Sequence, residues 1–107
     1  MPFKSVEVVG YKDFLKVYDP LPEESFLKRR IKEVRDEMKN DINRGDFIKR
    51  KPYPDKLDVQ NLYVYDIGNT HRLIYTIRAT RGEKKMYQYL DLFSHKEYDV
   101  MFGYSTS

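Results

Sequence analysis

At 107 residues, with 40% hydrophobic and 35% charged side chains, the chain has apolar material for one core but not two. It contains no cysteine, which excludes disulfides, thiolate nucleophiles and cysteine-based zinc sites and suits a reducing cytoplasm. The formal charge of +3 is unevenly placed: residues 1–26 hold three lysines against five acids, residues 27–56 hold eleven Lys or Arg against six, and residues 57–107 balance six against six.

Excess positive charge in the middle segment suits a polyanion, because binding releases condensed counterions. The competing reading is a solvated helix laced with ion pairs. The opening Met1-Pro-Phe-Lys-Ser lacks a charged segment followed by an apolar run, and no apolar stretch approaches the ~20 residues that span a bilayer. A soluble cytoplasmic protein is expected, with residues 1–107 forming a single domain and no membrane partner.

Val6, Val8 and Val9 predict a first strand near residues 3–9, closed by Gly10. Phe14, Leu15, Val17 and Tyr18 predict a short amphipathic helix stopped by Asp19-Pro20. Pro22, with Glu23 and Glu24 beside it, marks the first turn of a second helix, since proline lacks the N–H that would be orphaned there. Leu27, Ile31, Val34, Met38 and Ile42 then recur at spacings of three and four, leaving Lys28, Arg29, Lys32, Arg35 and Lys39 to face elsewhere. Asn43-Arg44-Gly45 supplies the stop.

Residues 45–60 read as the one extended loop, marked by Pro52, Pro54 and Lys49-Arg50-Lys51. Beyond it Leu62, Val64 and Asp66 alternate with Tyr63, Tyr65 and Ile67, as in a strand with two different faces. Gly68-Asn69 is a turn, because both residues tolerate positive φ. The next strand, from His71 to Ala79, puts Arg72, Ile74, Thr76 and Arg78 on one face and Leu73, Tyr75 and Ile77 on the other. After Arg81-Gly82, residues Met86 to Phe93 form a further apolar run, and Ser94-His95-Lys96-Glu97-Tyr98 opens a short helical turn. These elements predict an α+β domain: an antiparallel sheet of about four strands, two N-terminal helices packed on one face, and a short C-terminal helical turn.

Two residues interrupt the apolar strands with chemistry. Arg72 carries a permanent charge on a planar fork that matches two phosphate oxygens; the alternative is a salt bridge to Asp66 or Asp91 on a neighbouring strand. His95 titrates near neutrality and can serve as acid or base, although a histidine after a strand also suits a capping or surface role. Lys49, Arg50, Lys51, Lys56 and Lys96 suit RNA backbone contact, and Tyr53 suits base stacking; the alternative is an exposed solubilising loop. Tyr63, Tyr65, Tyr75, Tyr87 and Tyr89 suit packing on a half-buried sheet better than stacking. Neither His71 nor His95 has carboxylates at ligand spacing, so no metal and no cofactor is expected.

The element order, the segment Asn61-Leu-Tyr63, the strand Arg72-Leu-Ile-Tyr75 and the ending His95-Lys-Glu-Tyr98-Asp-Val-Met-Phe-Gly-Tyr104 resemble the RelE/ParE superfamily of toxins, in particular its RelE/HigB-like branch. The resemblance runs from about Phe14 onward and is most specific over residues 61–104. It implies the toxin of a toxin–antitoxin pair: a metal-independent endoribonuclease that cuts messenger RNA, commonly on the ribosome, inhibits translation, and is silenced by a cognate antitoxin. It also implies active-site residues at the end of the last strand and in the turn after it, which adds Tyr98 and Tyr104 to Arg72 and His95. ParE-like relatives share the fold but inhibit DNA gyrase, and a non-catalytic RNA-binding or protein-binding module would use the same surface without needing His95. One departure stands out: ribosome-dependent members carry two lysines where this chain has Tyr63 and Tyr65.

Overall fold

β-Branched residues open the chain: Val6, Val8 and Val9 lie in β1 (Ser5–Gly10) of the computed structural model, which describes residues 3–49, 53, 54, 57 and 59–103. Two helices follow, α1 (Lys12–Tyr18) and α2 (Phe26–Lys39). The strands β2 (Asp46–Phe47), β3 (Tyr63–Ile67), β4 (His71–Thr80) and β5 (Lys84–Ser94) lead into α3 (His95–Phe102). One sheet has the order β1-β5-β4-β3-β2, with β1 parallel to β5 and every other neighbour antiparallel. The α+β class holds, while the sheet has five strands and is mixed. A parallel pair needs a long connection and joins residues far apart in sequence, so local alternation carries no trace of it.

The start of α2 also differs from expectation. Ser25, not the Pro22 turn, is the N-cap, its Oγ accepting from Lys28 N at 3.3 Å. Pro22 lies in the preceding turn, where its carbonyl accepts from Ser25 N and Oγ. A side-chain acceptor that satisfies an orphan N–H fixes the boundary more firmly than a proline whose merit is only to lack one. The helix ends at Lys39, before Asn43-Arg44-Gly45, so Ile42 falls outside the stripe and is exposed. Lys28 does not face away: it is 7% exposed, and its Nζ donates to the carbonyls of Asp19 and Leu21 and pairs with Glu23 at 3.1 Å.

The sheet separates two apolar clusters. On one side Ile31, Val34 and Met38 of α2 and Phe14 of α1 pack against Leu73, Tyr75, Tyr87 and Tyr89. On the other, Ile48, Leu57 and Leu62 of the connector between β2 and β3 join Tyr98 and Phe102 of α3 over Ile74 and Phe93. The C-terminal turn is therefore an eight-residue helix on the face opposite α1 and α2. Alternation along β3 and β4 assigns the faces, and the Gly68-Asn69 turn holds their register, with φ of +56° and +61° and Thr70 N donating to Ile67 O at 3.2 Å.

In β5 the pairing passes from Tyr75↔Tyr89 to Ile74↔Asp91, leaving Leu90 as an extra residue. This bulge lets Tyr87, Tyr89 and Leu92 all reach the α1/α2 side and sends Phe93 to the other. Gly45 is a second special position. A Cβ there would sit 2.1 Å from the Tyr75 hydroxyl, which donates to Asn43 Oδ1, so only glycine lets the chain pass over that ring.

Candidate active site

The hairpin of β3 and β4 places Asp66 directly opposite Arg72 on the face away from α1 and α2. Cross-strand neighbours in an antiparallel pair lie within side-chain reach. Arg72 Nε accordingly donates to Asp66 Oδ1 at 2.9 Å. The guanidinium also lies over the Tyr98 ring, 4.4 Å from its centroid. The contact to Asp66 engages Nε, so the terminal nitrogens Nη1 and Nη2 stay free of that pair, and the side chain is 27% exposed.

His95 enters from α3. The sequence Ser94-His95-Lys96-Glu97 forms a capping box: Ser94 Oγ accepts from Glu97 N at 3.1 Å, and Ser94 N donates to Glu97 Oε1 at 2.9 Å. His95 is the first helical residue, and its backbone N donates to Thr70 O at 3.3 Å, tying α3 to the β3–β4 turn. This fixes the imidazole beside Asp66, with Nε2 at 3.3 Å from Oδ1. That is ion-pair distance without hydrogen-bond alignment; Nε2 is buried and lacks an aligned partner. Nε2 lies on the carboxylate side, and Nδ1 is the other ring nitrogen.

Arg72, His95 and Tyr98 thus come together, and Asp66 joins them as their common anion. Asp66 entered the sequence reading only as a salt-bridge partner of Arg72. The signal for a larger role was its position opposite Arg72 across a short turn; nothing in the sequence places His95 there. Tyr98 is 4% exposed and stacks on Phe102 at 4.4 Å, a placement suited to supporting the guanidinium. Lys96 is exposed next to His95.

Other candidates lie elsewhere. Lys49 is exposed beyond β2; Ile48 N bonds Leu62 O, so Lys49 leaves the sheet at the end remote from Arg72. Tyr53 is half-buried in the second cluster with its hydroxyl donating to Ile48 O at 2.6 Å, so it anchors the connector rather than standing out to stack on bases. Arg50, Lys51, Lys56 and Tyr104 lie outside the described residues.

The basic helix is not part of this face. On α2, Lys28, Arg30, Lys32 and Arg35 each lie within 4.0 Å of a carboxylate oxygen, an ion-paired set of cations in which Lys28 alone is buried. Tyr63 and Tyr65 also face α2: Tyr63 stacks on Tyr75, and Tyr65 accepts from Arg30 Nη2 at 2.5 Å. A lysine at either position would emerge on that side, away from Arg72.

Among the described residues no three His, Asp or Glu side chains gather as metal ligands would, and no helix is long and apolar enough to cross a membrane. Compared with family models, curated proteins and solved structures, the chain gives no significant match. Fold and cluster define a small α+β domain with a mixed sheet, in which an arginine of the sheet and a histidine of α3 each approach one carboxylate and a buried tyrosine lies against the guanidinium.

Proposed function

We propose that the protein is a metal-independent endoribonuclease acting on messenger RNA in the cytoplasm, the toxin of a toxin–antitoxin pair, as the resemblance of its C-terminal strands implies. The observation that carries this reading is the meeting of Arg72 Nε and His95 Nε2 at one oxygen of Asp66, at 2.9 and 3.3 Å. RNA cleavage without a metal needs a base for the ribose 2′-hydroxyl proton and a cation for the negative charge that develops on the phosphoryl oxygens. The 2′-oxygen attacks the adjacent phosphorus, its proton passes to His95 Nδ1, and the bond to the 5′-oxygen breaks. A 2′,3′-cyclic phosphate and a 5′-hydroxyl result, the leaving oxygen taking its proton from the imidazolium or from water. Arg72 Nη1 and Nη2 face the non-bridging oxygens, and the Asp66 carboxylate, 3.3 Å from Nε2, favours the imidazolium that forms. A cognate antitoxin would silence the protein by covering this face.

Arg72→Ala and His95→Ala, each checked for an unchanged thermal unfolding profile, should each lower RNA cleavage by about 100-fold or more. Cleavage by both variants at the wild-type rate would refute the proposal. A second reading rests on the same ion pair: Asp66 already neutralises part of Arg72, as in a structural cross-strand bridge. A non-nuclease toxin acting on gyrase, or a binding module, would then yield no new RNA ends from wild type either.

A further inference from the structure

The face that bears Arg72 has a second polar end. Beyond Ile74, β4 presents Thr76, Arg78 and Thr80, and β5 sets Gln88, Met86 and Lys84 directly opposite them. Six residues separate Arg72 from Arg78, about 20 Å along a strand. The second apolar cluster roofs the middle of the face, and at the far end the surface opens into two adjoining grooves. They have volumes of about 520 and 410 Å³ and share Arg78 and Ala79.

Three observations indicate a ligand there. Arg78 and Lys84 supply cationic lining, and no carboxylate lines either groove among the described residues. Lys84 pairs with Glu7 at 2.8 Å from the rim, but both side chains are about half exposed, so the pair yields readily to a stronger anion. Gln88 is 6% exposed, and the one contact of its Nε2 among the described residues is the sulfur of Met86 at 3.1 Å, a weak acceptor. A buried amide donor left with a thioether stands ready for a better acceptor. Asn61, by contrast, is fully engaged with Thr76 and the backbone of Ile77 and makes a rigid wall.

We infer that this groove binds the backbone and one base of single-stranded RNA flanking the segment held at Arg72 and His95, with Arg78 on a phosphate and the Gln88 amide on a base edge. The inference rests on the ribonuclease reading. A single strand, flexible enough to follow a face whose middle is covered by Ile48, Leu57 and Phe102, suits the two ends better than a rigid A-form duplex.

The test is binding of uncleavable 2′-O-methyl RNAs of about 4 and 12 nucleotides, followed by anisotropy at several salt concentrations. Wild type should bind the longer RNA about tenfold more tightly. Arg78→Ala combined with Lys84→Ala, both exposed positions, should lose most of that gain and reduce the salt slope by about two. The charge reversal Arg78→Glu should lose it as well. A wild type without the length gain, or variants that keep it, would overturn the groove. Whether wild type cleaves unmodified RNA, free or on translating ribosomes, decides the ribonuclease reading separately.

Discussion

Asp66 stands between the two groups assigned to chemistry, and its removal should separate their roles. In Asp66→Asn the guanidinium is freed for phosphate while the imidazolium loses the negative charge beside it. The expected result is kcat lowered about tenfold with KM unchanged or lower; a rise in KM alone would show that Asp66 acts in binding. A second carboxylate governs stability. Asp41, at φ +58° beyond α2, pairs with Lys85 Nζ and accepts from the Tyr87 hydroxyl, each at 2.7 Å. Burial opposes its ionisation, but those two partners outweigh burial and hold its carboxyl below the ordinary range. Its contribution is therefore fully present above the unfolded value of about 3.9 and is lost as pH falls through the lower folded value. Asp41→Asn keeps the left-handed preference, so it should lower Tm at pH 7 and converge with wild type as pH falls below about 4. Parallel Tm–pH curves would contradict this. At this scale the sequence exposed Arg72 and His95 as chemically odd residues in apolar runs and offered Asp66 as a partner of Arg72, but not the approach of His95 to that carboxylate or the inward turn of Lys28, because both depend on partners brought in by tertiary folding.

α3 positions half of the site, and its anchor is the Ser94–Glu97 capping box. Ser94→Ala should cost about 1 kcal/mol of stability, measured by denaturant unfolding. It should also reduce cleavage, because His95 and Tyr98 lie in the helix so anchored; an unchanged rate at full folding would show that the helix start is not needed for chemistry. Elements with strong periodicity were readable in the sequence. The faces of β4 follow directly from alternation, and the Gly68-Asn69 turn from residue type. Boundaries were less so: the Pro22 signal competed with Ser25, and hydrogen bonding decided for Ser25. The length of α3 was hidden because Tyr98 and Phe102 show their shared face only once the second cluster exists to receive them.

Across the whole molecule, the α+β class was legible, and the parallel pairing of β1 with β5 was not. Nor was the division of the positive charge, which places the cations of α2 on one side of the sheet, among carboxylates, and Arg72 and Arg78 on the other. This division makes the α3 face, rather than the basic helix, the surface on which RNA should be sought. The most direct measurement is to incubate the purified protein with free RNA in the presence of a chelator, and with translating ribosomes in their magnesium buffer, and to analyse the ends produced. New 5′-hydroxyl and 2′,3′-cyclic phosphate ends are expected, and they should disappear with Arg72→Ala and with His95→Ala. Intact RNA in both reactions, or cleavage that persists in both variants, would contradict the ribonuclease reading.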